Sequence, residues 1–248
     1  MTKSQDYAKE LEQIPDRIAF LRAHSGLPGP RGNLELVQAA ADVGGEADFR
    51  TWIQVGSGQD PTDEFLAVCG VVGLGRLLAE GRLELAEELR AHASDPRWRV
   101  REGVAMALQR VGDADVGLLF EIVTGWVADR PYVQRAAVAG VAEPRLLKAP
   151  EPAANAVVVV ERVTASLAGA KERRSDESRT LRQALGYCWS VVLVAAPERG
   201  KPLFERWASS SDPDIRWIVK ENLKKNRLIQ LDKAWVDAVK AVVEGAPV

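Results

Sequence analysis

An Asp-Pro turn that recurs along the chain constrains the fold more than any other feature of the sequence. The dipeptide or a close variant occurs at four places: Asp60-Pro61, Asp95-Pro96, Asp129-Arg130-Pro131 and Asp212-Pro213. An aspartate caps a following helix through its side-chain oxygen, and a proline fits the first helical turn, where its missing N–H is not needed. The first three turns lie about 35 residues apart, a period typical of arrays of helical repeats.

The segments between these turns carry apolar residues with a period near 3.6, which predicts amphipathic helices. The clearest of them are predicted over residues 83–92, 97–111, 114–128 and 131–142. The run Val157-Val158-Val159-Val160 has strand propensity by itself, but its neighbours extend it to helical length, so we expect a buried helix. Two alternating runs joined by Asn-Gly or Asp-Gly, the signature of a hairpin, do not occur. The sequence therefore predicts an all-α fold.

At two of the turns the sequence predicts where the following helix begins. We expect Pro96 and Pro213 to lie in the first turns of the helices that follow them. Asp95 and Asp212 are the expected capping residues, and loss of such a cap costs about 0.5–2 kcal/mol.

The segment around the second turn reads Asp95-Pro96-Arg97-Trp98-Arg99-Val100-Arg101-Glu102, and residues 212–223 are a similar segment. A helix, an Asp-Pro turn and a second helix with an early Val-Arg, repeated at about 35–40 residues, resembles the HEAT repeat. The resemblance covers residues 60–248, and residues 34–55 fit a degenerate first pair. It implies a right-handed α-solenoid of about five HEAT-like helix pairs with capping helices, each pair stabilised by stacking on its neighbour.

This resemblance implies three parts. Residues 1–59 are an N-terminal helical cap and degenerate first repeat, residues 60–228 the HEAT-like array, and residues 229–248 a C-terminal capping helix. We expect the two capping helices around residues 7–24 and 232–243. The charged stretch at residues 171–177 is predicted to be a solvated loop within the array.

Charge is distributed unevenly along a chain whose net charge is −2. Residues 1–93 carry nine Lys and Arg against fifteen Asp and Glu, whereas residues 94–248 carry twenty-four against twenty. In residues 94–248 the basic residues concentrate after the turns, with Trp and Tyr among them. In HEAT-like arrays the second helices line the concave face, so we expect a binding surface there. Its candidate residues are Trp98, Arg99, Arg101, Arg135, Arg182, Trp189, Arg216, Trp217 and Lys220.

The same residues have a structural interpretation, and the sequence leaves both open. An arginine early in a second helix can bond the aspartate of the preceding turn or a carboxylate of a neighbouring repeat, because guanidinium and carboxylate groups pair well. Adjacent residues point about 100° apart on a helix, so most tryptophans beside an arginine are expected to pack inward. We expect the structural role to dominate for the arginines.

Signatures of catalysis are lacking. The run Gly70-Val71-Val72-Gly73-Leu74-Gly75 does not have the spacing of a nucleotide loop, so we expect close helix packing there. No G-x-S-x-G, H-E-x-x-H or C-x-x-C motif occurs. Cys69 and Cys188 stand alone in apolar stretches, which is typical of small core residues. His24 and His92 precede polar segments at predicted helix ends, where a cation suits the dipole. We expect no cofactor and no metal site.

Two classes of function fit this sequence. The first is a non-enzymatic HEAT-like module that offers a concave helical surface to a protein partner. The alternative is a DNA-binding or DNA alkylation repair protein resembling the HEAT-like alkylpurine DNA glycosylases, which use aromatic residues and an Asp on the concave face. Trp98, Trp189 and Trp217 would play the aromatic part, while no local motif fixes the Asp. The slightly acidic chain favours the protein-binding module over a polyanion binder.

The fold class and the lack of targeting signals lead to two further expectations. A third class, lyase-like or maturation partners of pigment or cofactor proteins, shares this kind of fold. No run approaches the ~18 apolar residues of a membrane helix, and the N-terminus lacks the layout of a signal peptide. We therefore expect a cytoplasmic protein with no membrane partner, for which nucleic acid remains a possible ligand.

Overall fold

The structure is a computed structural model that describes residues 2–58 and 60–245. Within these residues, fifteen α-helices and one short 3-10 helix at Pro144–Leu146 make up all the regular secondary structure, with no strand. The prediction of an all-α fold is therefore confirmed. The chain divides between Asp115 and Val116 into two compact units, which we call the N-terminal unit and the C-terminal unit.

The described part of the N-terminal unit forms seven helices. They are α1 (Lys3–Gln13), α2 (Arg17–Ala23), α3 (Leu34–Val43), α4 (Glu46–Val55), α5 (Asp63–Ala79), α6 (Leu85–His92) and α7 (Trp98–Ala114). Helix α3 packs against α1 and α5, and α5 packs against α7, while α4 and α6 also lie against α5. Helix α5 is almost entirely buried and forms the centre of this unit.

The glycine-rich run of α5 serves close helix packing, as predicted. A Cβ atom at Gly75 would lie 2.5 Å from the Cα atom of Ala107 on α7. At Gly73 a Cβ atom would lie 2.3 Å from the ring of Phe49 on α4. Both distances are far below van der Waals contact, so these two positions require glycine for α5 to approach its neighbours.

The described part of the C-terminal unit forms eight helices. They are α8 (Val116–Trp126), α9 (Pro131–Val141), α10 (Pro150–Gly169), α11 (Asp176–Ala195), α12 (Pro197–Ala208), α13 (Pro213–Leu223), α14 (Asn226–Leu231) and α15 (Lys233–Gly245). Helix α11 packs between α9 and α13, and α10 contacts α8, α11 and α12. The run Val157-Val158-Val159-Val160 lies within α10, so its prediction as a helix is confirmed.

The two Asp-Pro turns start their helices differently. Asp212 is the N-cap of α13, with its side chain accepting from the N–H groups of Asp214 and Ile215, and Pro213 is the first helical residue, as predicted. Helix α7 begins at Trp98, so the prediction that Pro96 lies in its first turn is wrong.

The N-cap of α7 is Arg97 rather than Asp95, which is a second correction. The Asp95 carboxylate accepts the backbone N–H of Arg97 at 2.8 Å and binds its guanidinium at 2.7 Å. The Arg97 guanidinium also donates to the carbonyl of Gly56. These bonds hold Arg97 in an extended conformation, with ψ at 124°. The helix therefore starts at Trp98 and not directly after Asp95.

The ends of the chain and one loop differ from the sequence predictions in detail. Instead of one capping helix over residues 7–24, α1 and α2 are separated around Pro15, because proline disfavours helix in the residue before it. Helix α15 covers the residues predicted to form the C-terminal capping helix, and its capping role stays a prediction. The charged loop ends at Ser175, and its Arg173 is tied to the carbonyl of Ala170 at 2.9 Å. The division into residues 1–59, 60–228 and 229–248 stays a prediction.

Candidate functional site

In the N-terminal unit an arginine joins a carboxylate to a tryptophan. Arg99, near the start of α7, places Nη1 2.9 Å from Oε2 of Glu64 in the first turn of α5. The guanidinium carbon of Arg99 lies 4.5 Å from the centre of the Trp98 ring. We call these three residues the Trp98 clamp. Because the carboxylate fixes the arginine, the arginine supports the indole in one orientation.

The indole held by this clamp lies at the surface beside a small apolar cavity. Trp98 is 54% exposed and Leu34, at the start of α3, is 55% exposed. The cavity has a volume of about 60 Å³, roughly the space of two water molecules. We define the Trp98 patch as Trp98, Leu34 and the apolar residues that line the cavity with them, Val37, Phe65, Val68 and Met106. The cavity therefore admits the tip of one apolar side chain.

The C-terminal unit contains an equivalent arrangement, the Trp217 clamp. Arg182 on α11 places Nη1 2.6 Å from Oδ1 of Asp214 in the first turn of α13. Its guanidinium carbon lies 4.7 Å from the centre of the Trp217 ring. Trp217 is half-buried and packs against Gly186 of α11, where a Cβ atom would lie 2.9 Å from the ring. This indole is therefore part of the packing between α11 and α13.

Two of the predicted surface residues serve the interior of the fold instead. Trp189 is fully buried, and its Nε1–H donates to Thr164 Oγ1 at 2.9 Å, so the prediction of a surface role is wrong. Arg101 is 9% exposed and donates to the carbonyl oxygens of Asp95 at 2.6 Å and Pro96 at 2.9 Å. Its aliphatic part fills space in the core while its charge holds the turn, so it too is a structural residue.

The remaining predicted residues lie on two helices of the C-terminal unit. Arg135 on α9 and Arg216 on α13 are half-buried, and Lys220 on α13 is exposed. Both helices pack against α11. The role of these residues in binding stays a prediction.

One cluster was missed by the sequence analysis. Tyr187 on α11 is 45% exposed, and its hydroxyl oxygen accepts from Nη2 of Arg227 at 2.6 Å. The Arg227 guanidinium carbon lies 4.8 Å, and the Lys225 Nζ atom 5.8 Å, from the centre of the Tyr187 ring. We call these residues the Tyr187 cluster. The basic run at residues 224–227 was its visible signal, but the tyrosine lies about 40 residues earlier in the chain.

The cysteine and histidine side chains are placed as the sequence suggested. Burial raises the pKa of the Cys69 thiol well above its usual range, and Cys188 is also buried. Burial lowers the pKa of His92, against the opposing charges of Glu88 and Asp95. A thiol with a raised pKa is a poor nucleophile. These groups therefore offer little for covalent chemistry.

Potential metal ligands, membrane-spanning helices and similarity to known proteins add few constraints on function. Among the described residues, no group of three or more His, Cys, Asp or Glu side chains is arranged to hold a metal ion. None of the helices in the described ranges is long and apolar enough to cross a bilayer. The chain matches no protein-family model, no curated protein and no solved structure. The geometry of the side chains is therefore what indicates a function.

Proposed function

We propose that this chain is a non-enzymatic HEAT-like repeat module that binds a segment of a protein partner. The packing order of the helices supports this proposal. In the N-terminal unit α3, α5 and α7 follow one another in contact, and in the C-terminal unit α9, α11 and α13 do the same. Contact between alternate helices is what stacked helix pairs require. The proposal includes the predicted right-handed solenoid of about five pairs with capping helices.

The Trp98 patch is the single observation that carries the binding function. Tryptophan is enriched among the residues that dominate binding energy, above all where it anchors in or beside an apolar pocket. The Trp98 clamp orients the indole before any partner arrives, which reduces the entropy lost on binding. An exposed Leu34 and a cavity for one side-chain tip lie beside it. We infer that the partner inserts one apolar side chain there.

Nucleic-acid binding, including DNA alkylation repair, is the second candidate function. The C-terminal unit carries twenty Lys and Arg against sixteen Asp and Glu, and Lys220 is exposed on α13. The two clamps weigh against it, because Arg99 and Arg182 already pair with carboxylates. Trp189 lies in the core, and the Trp217 ring carries Arg182 and also packs against Gly186, so neither ring is free to stack on a base. These contacts therefore favour protein binding over nucleic-acid binding.

The test uses peptides selected on the wild-type protein from a displayed library. Trp98→Ala should weaken the selected peptides by about tenfold or more, the loss typical of a binding hot spot. Leu34→Ala should weaken them by a smaller factor. Leu83→Ala is the matched control, because Leu83 is 57% exposed but does not line the cavity. Failure to select any peptide, or equal affinity for Trp98→Ala, would contradict the proposal.

The second candidate has its own readout. Wild-type protein is titrated with plain and alkylated duplex DNA at about 0.15 M salt, where the Debye length is about 8 Å. Submicromolar binding there, with an affinity that falls steeply as salt rises, would promote nucleic-acid binding. We expect no such binding.

A further inference from the structure

The two cations of the Tyr187 cluster differ from other cations of the same unit. Arginines elsewhere in the C-terminal unit bond carboxylates, in the pairs Arg173–Asp212, Arg179–Asp176, Arg182–Asp214 and Arg206–Glu161. Arg227 and Lys225 instead face the ring of Tyr187, and Arg227 donates to its hydroxyl. Within the described residues, neither is paired with a carboxylate. Two full positive charges are thus held at the surface by a neutral side chain.

This arrangement prepares Arg227 for an anionic ligand. A guanidinium has five N–H donors, and one nitrogen of Arg227 donates to Tyr187 while the ring supports the guanidinium plane. The remaining donors form a fork that matches a carboxylate or phosphate group. Because the side chain is already oriented, less rotational freedom is lost when such a group binds.

The surrounding sequence strengthens the positive field. Residues 216–230 contain the cations Arg216, Lys220, Lys224, Lys225 and Arg227. The one acidic residue of this segment, Glu221, already bonds Lys224. A cluster of one charge sign raises the local concentration of ligands of the opposite sign and speeds their association.

The surroundings of the Tyr187 ring favour an acidic protein segment over a nucleic acid as the anionic ligand. Single-stranded nucleic acid binds basic surfaces by stacking its bases on open aromatic faces, but cations already lie over this ring. An acidic peptide needs no stacking platform. We propose that the Tyr187 cluster binds the carboxylates of an Asp- or Glu-rich segment of a protein partner. This inference rests on the proposed protein-binding function and gives the chemistry of a partner for the C-terminal unit.

The experiment measures binding of a labelled oligo-glutamate peptide to the full chain at about 0.05 M salt, where screening is modest. The double variant Lys225→Gln, Arg227→Gln should lose about tenfold or more in affinity, since it removes two charge-assisted contacts. Arg227→Lys keeps the charge without the fork and should lose about threefold. Arg199→Gln is the matched control, because Arg199 is an exposed arginine on α12. It should stay within about twofold of wild type.

Each outcome decides the proposal. Equal affinity of the double variant and wild type would overturn it, as would tighter binding of an oligothymidylate of equal charge than of the peptide. A thermal melt of each variant checks folding, and Arg227→Lys keeps the test valid if the double variant is unstable. Two binding assays separate this inference from the proposed function. Trp98→Ala should weaken binding of the display-selected peptides but leave oligo-glutamate binding unchanged. Loss of oligo-glutamate binding in Trp98→Ala would contradict the assignment to the Tyr187 cluster.

Discussion

The Trp98 clamp of the N-terminal unit and the Trp217 clamp of the C-terminal unit use the same chemistry for different ends. In each, an arginine bonds a first-turn carboxylate of a facing helix and lies over a tryptophan ring, at 4.5 Å from Trp98 and 4.7 Å from Trp217. Both arginines even leave a buried Nε atom without a partner. Yet Trp98 is 54% exposed, whereas Trp217 is half-buried.

The difference comes from what faces each indole. Gly186 leaves space for the Trp217 ring between α11 and α13. Trp98 has an open cavity and an exposed Leu34 beside it instead. A clamp therefore fixes the orientation of an indole, and the residues opposite decide whether that indole stabilises the fold or remains available for binding. This division of roles and the contrast between the two turn aspartates lead to five expectations.

The largest expected effect is the loss of the Trp217 indole. Trp217→Ala should lower the free energy of unfolding by about 2 kcal/mol, below the 3–5 kcal/mol typical of a fully buried tryptophan. Trp98→Ala should change it by less than about 0.5 kcal/mol, as is usual for surface substitutions. Urea denaturation of both variants measures the two values. Similar losses would remove the distinction between the clamps.

The second expectation tests the space that Gly186 provides. Gly186→Ala places a methyl group 2.9 Å from the Trp217 ring, so it should destabilise the chain by about 1–2 kcal/mol through overpacking. Gly125→Ala is the control, since nothing lies within 4 Å of a Cβ atom there. The free energy of unfolding of this control variant should rise by up to about 1 kcal/mol, because alanine has a better helix propensity than glycine. Stability gained by both variants would show that Trp217 is not packed as described.

The third expectation compares the two turn aspartates. Asp212→Ala removes an N-cap and should cost about 1 kcal/mol, with a thermal midpoint lower by a few degrees. Asp95→Ala removes no cap and should cost less. Thermal melts at neutral pH compare them, and equal losses would contradict the difference in capping.

The same aspartates predict a dependence of stability on pH. Burial raises the pKa of each carboxyl, but several interactions together outweigh it and lower both pKa values. For Asp95 these include hydrogen bonds from the side chain and backbone of Arg97, and for Asp212 hydrogen bonds from Arg173 and from the backbone N–H groups of Ile215 and Asp214. A lowered folded-state pKa gives stability that is present above the unfolded pKa of about 3.9. That stability is lost as the pH falls through the folded-state value. The thermal midpoint should therefore decrease as the pH drops below about 4. The decrease should be less steep in Asp212→Asn.

The smallest effect concerns the ion pairs themselves. Double-mutant cycles with Arg99→Met and Glu64→Gln, and with Arg182→Met and Asp214→Asn, should each give a coupling of about 0.5–1 kcal/mol. The side chains are 17–30% exposed, which limits the attraction by solvent screening. Coupling energies of equal size would support the conclusion that the ion pair has the same role in both clamps. A coupling near zero in one unit would mean that its indole is oriented by packing alone.

Periodicity and turn chemistry were enough to predict the helices, because these signals act within a few residues. Val157 to Val160 were assigned to a helix from the length of the surrounding run. The same local reading failed at Asp95, since the Arg97 guanidinium reaches the Gly56 carbonyl about 40 residues away. A capping motif in the sequence does not show that a hydrogen bond to a residue far along the chain will shift the start of the helix.

The candidate sites were harder to predict for a related reason. Trp98 and Trp189 are the same residue type on helices of similar pattern, yet one is exposed and the other is in the core. The partners that separate them, Glu64 for Arg99 and Thr164 for Trp189, lie 35 and 25 residues away. The Tyr187 cluster needs the fold to bring α11 and α14 together. Tertiary contact, rather than composition, decides the role of each.

The buried thiols provide each unit with an internal reporter. Cys69 lies in α5 and Cys188 in α11, the helices against which most other helices of their units pack. A cysteine thiolate attacks an electrophilic thiol reagent, so both buried side chains react only when the surrounding helices open. The rate of modification at each position therefore measures the opening free energy of that unit separately. One chain thus carries, without any added label, a probe for whether its two halves unfold together or in turn.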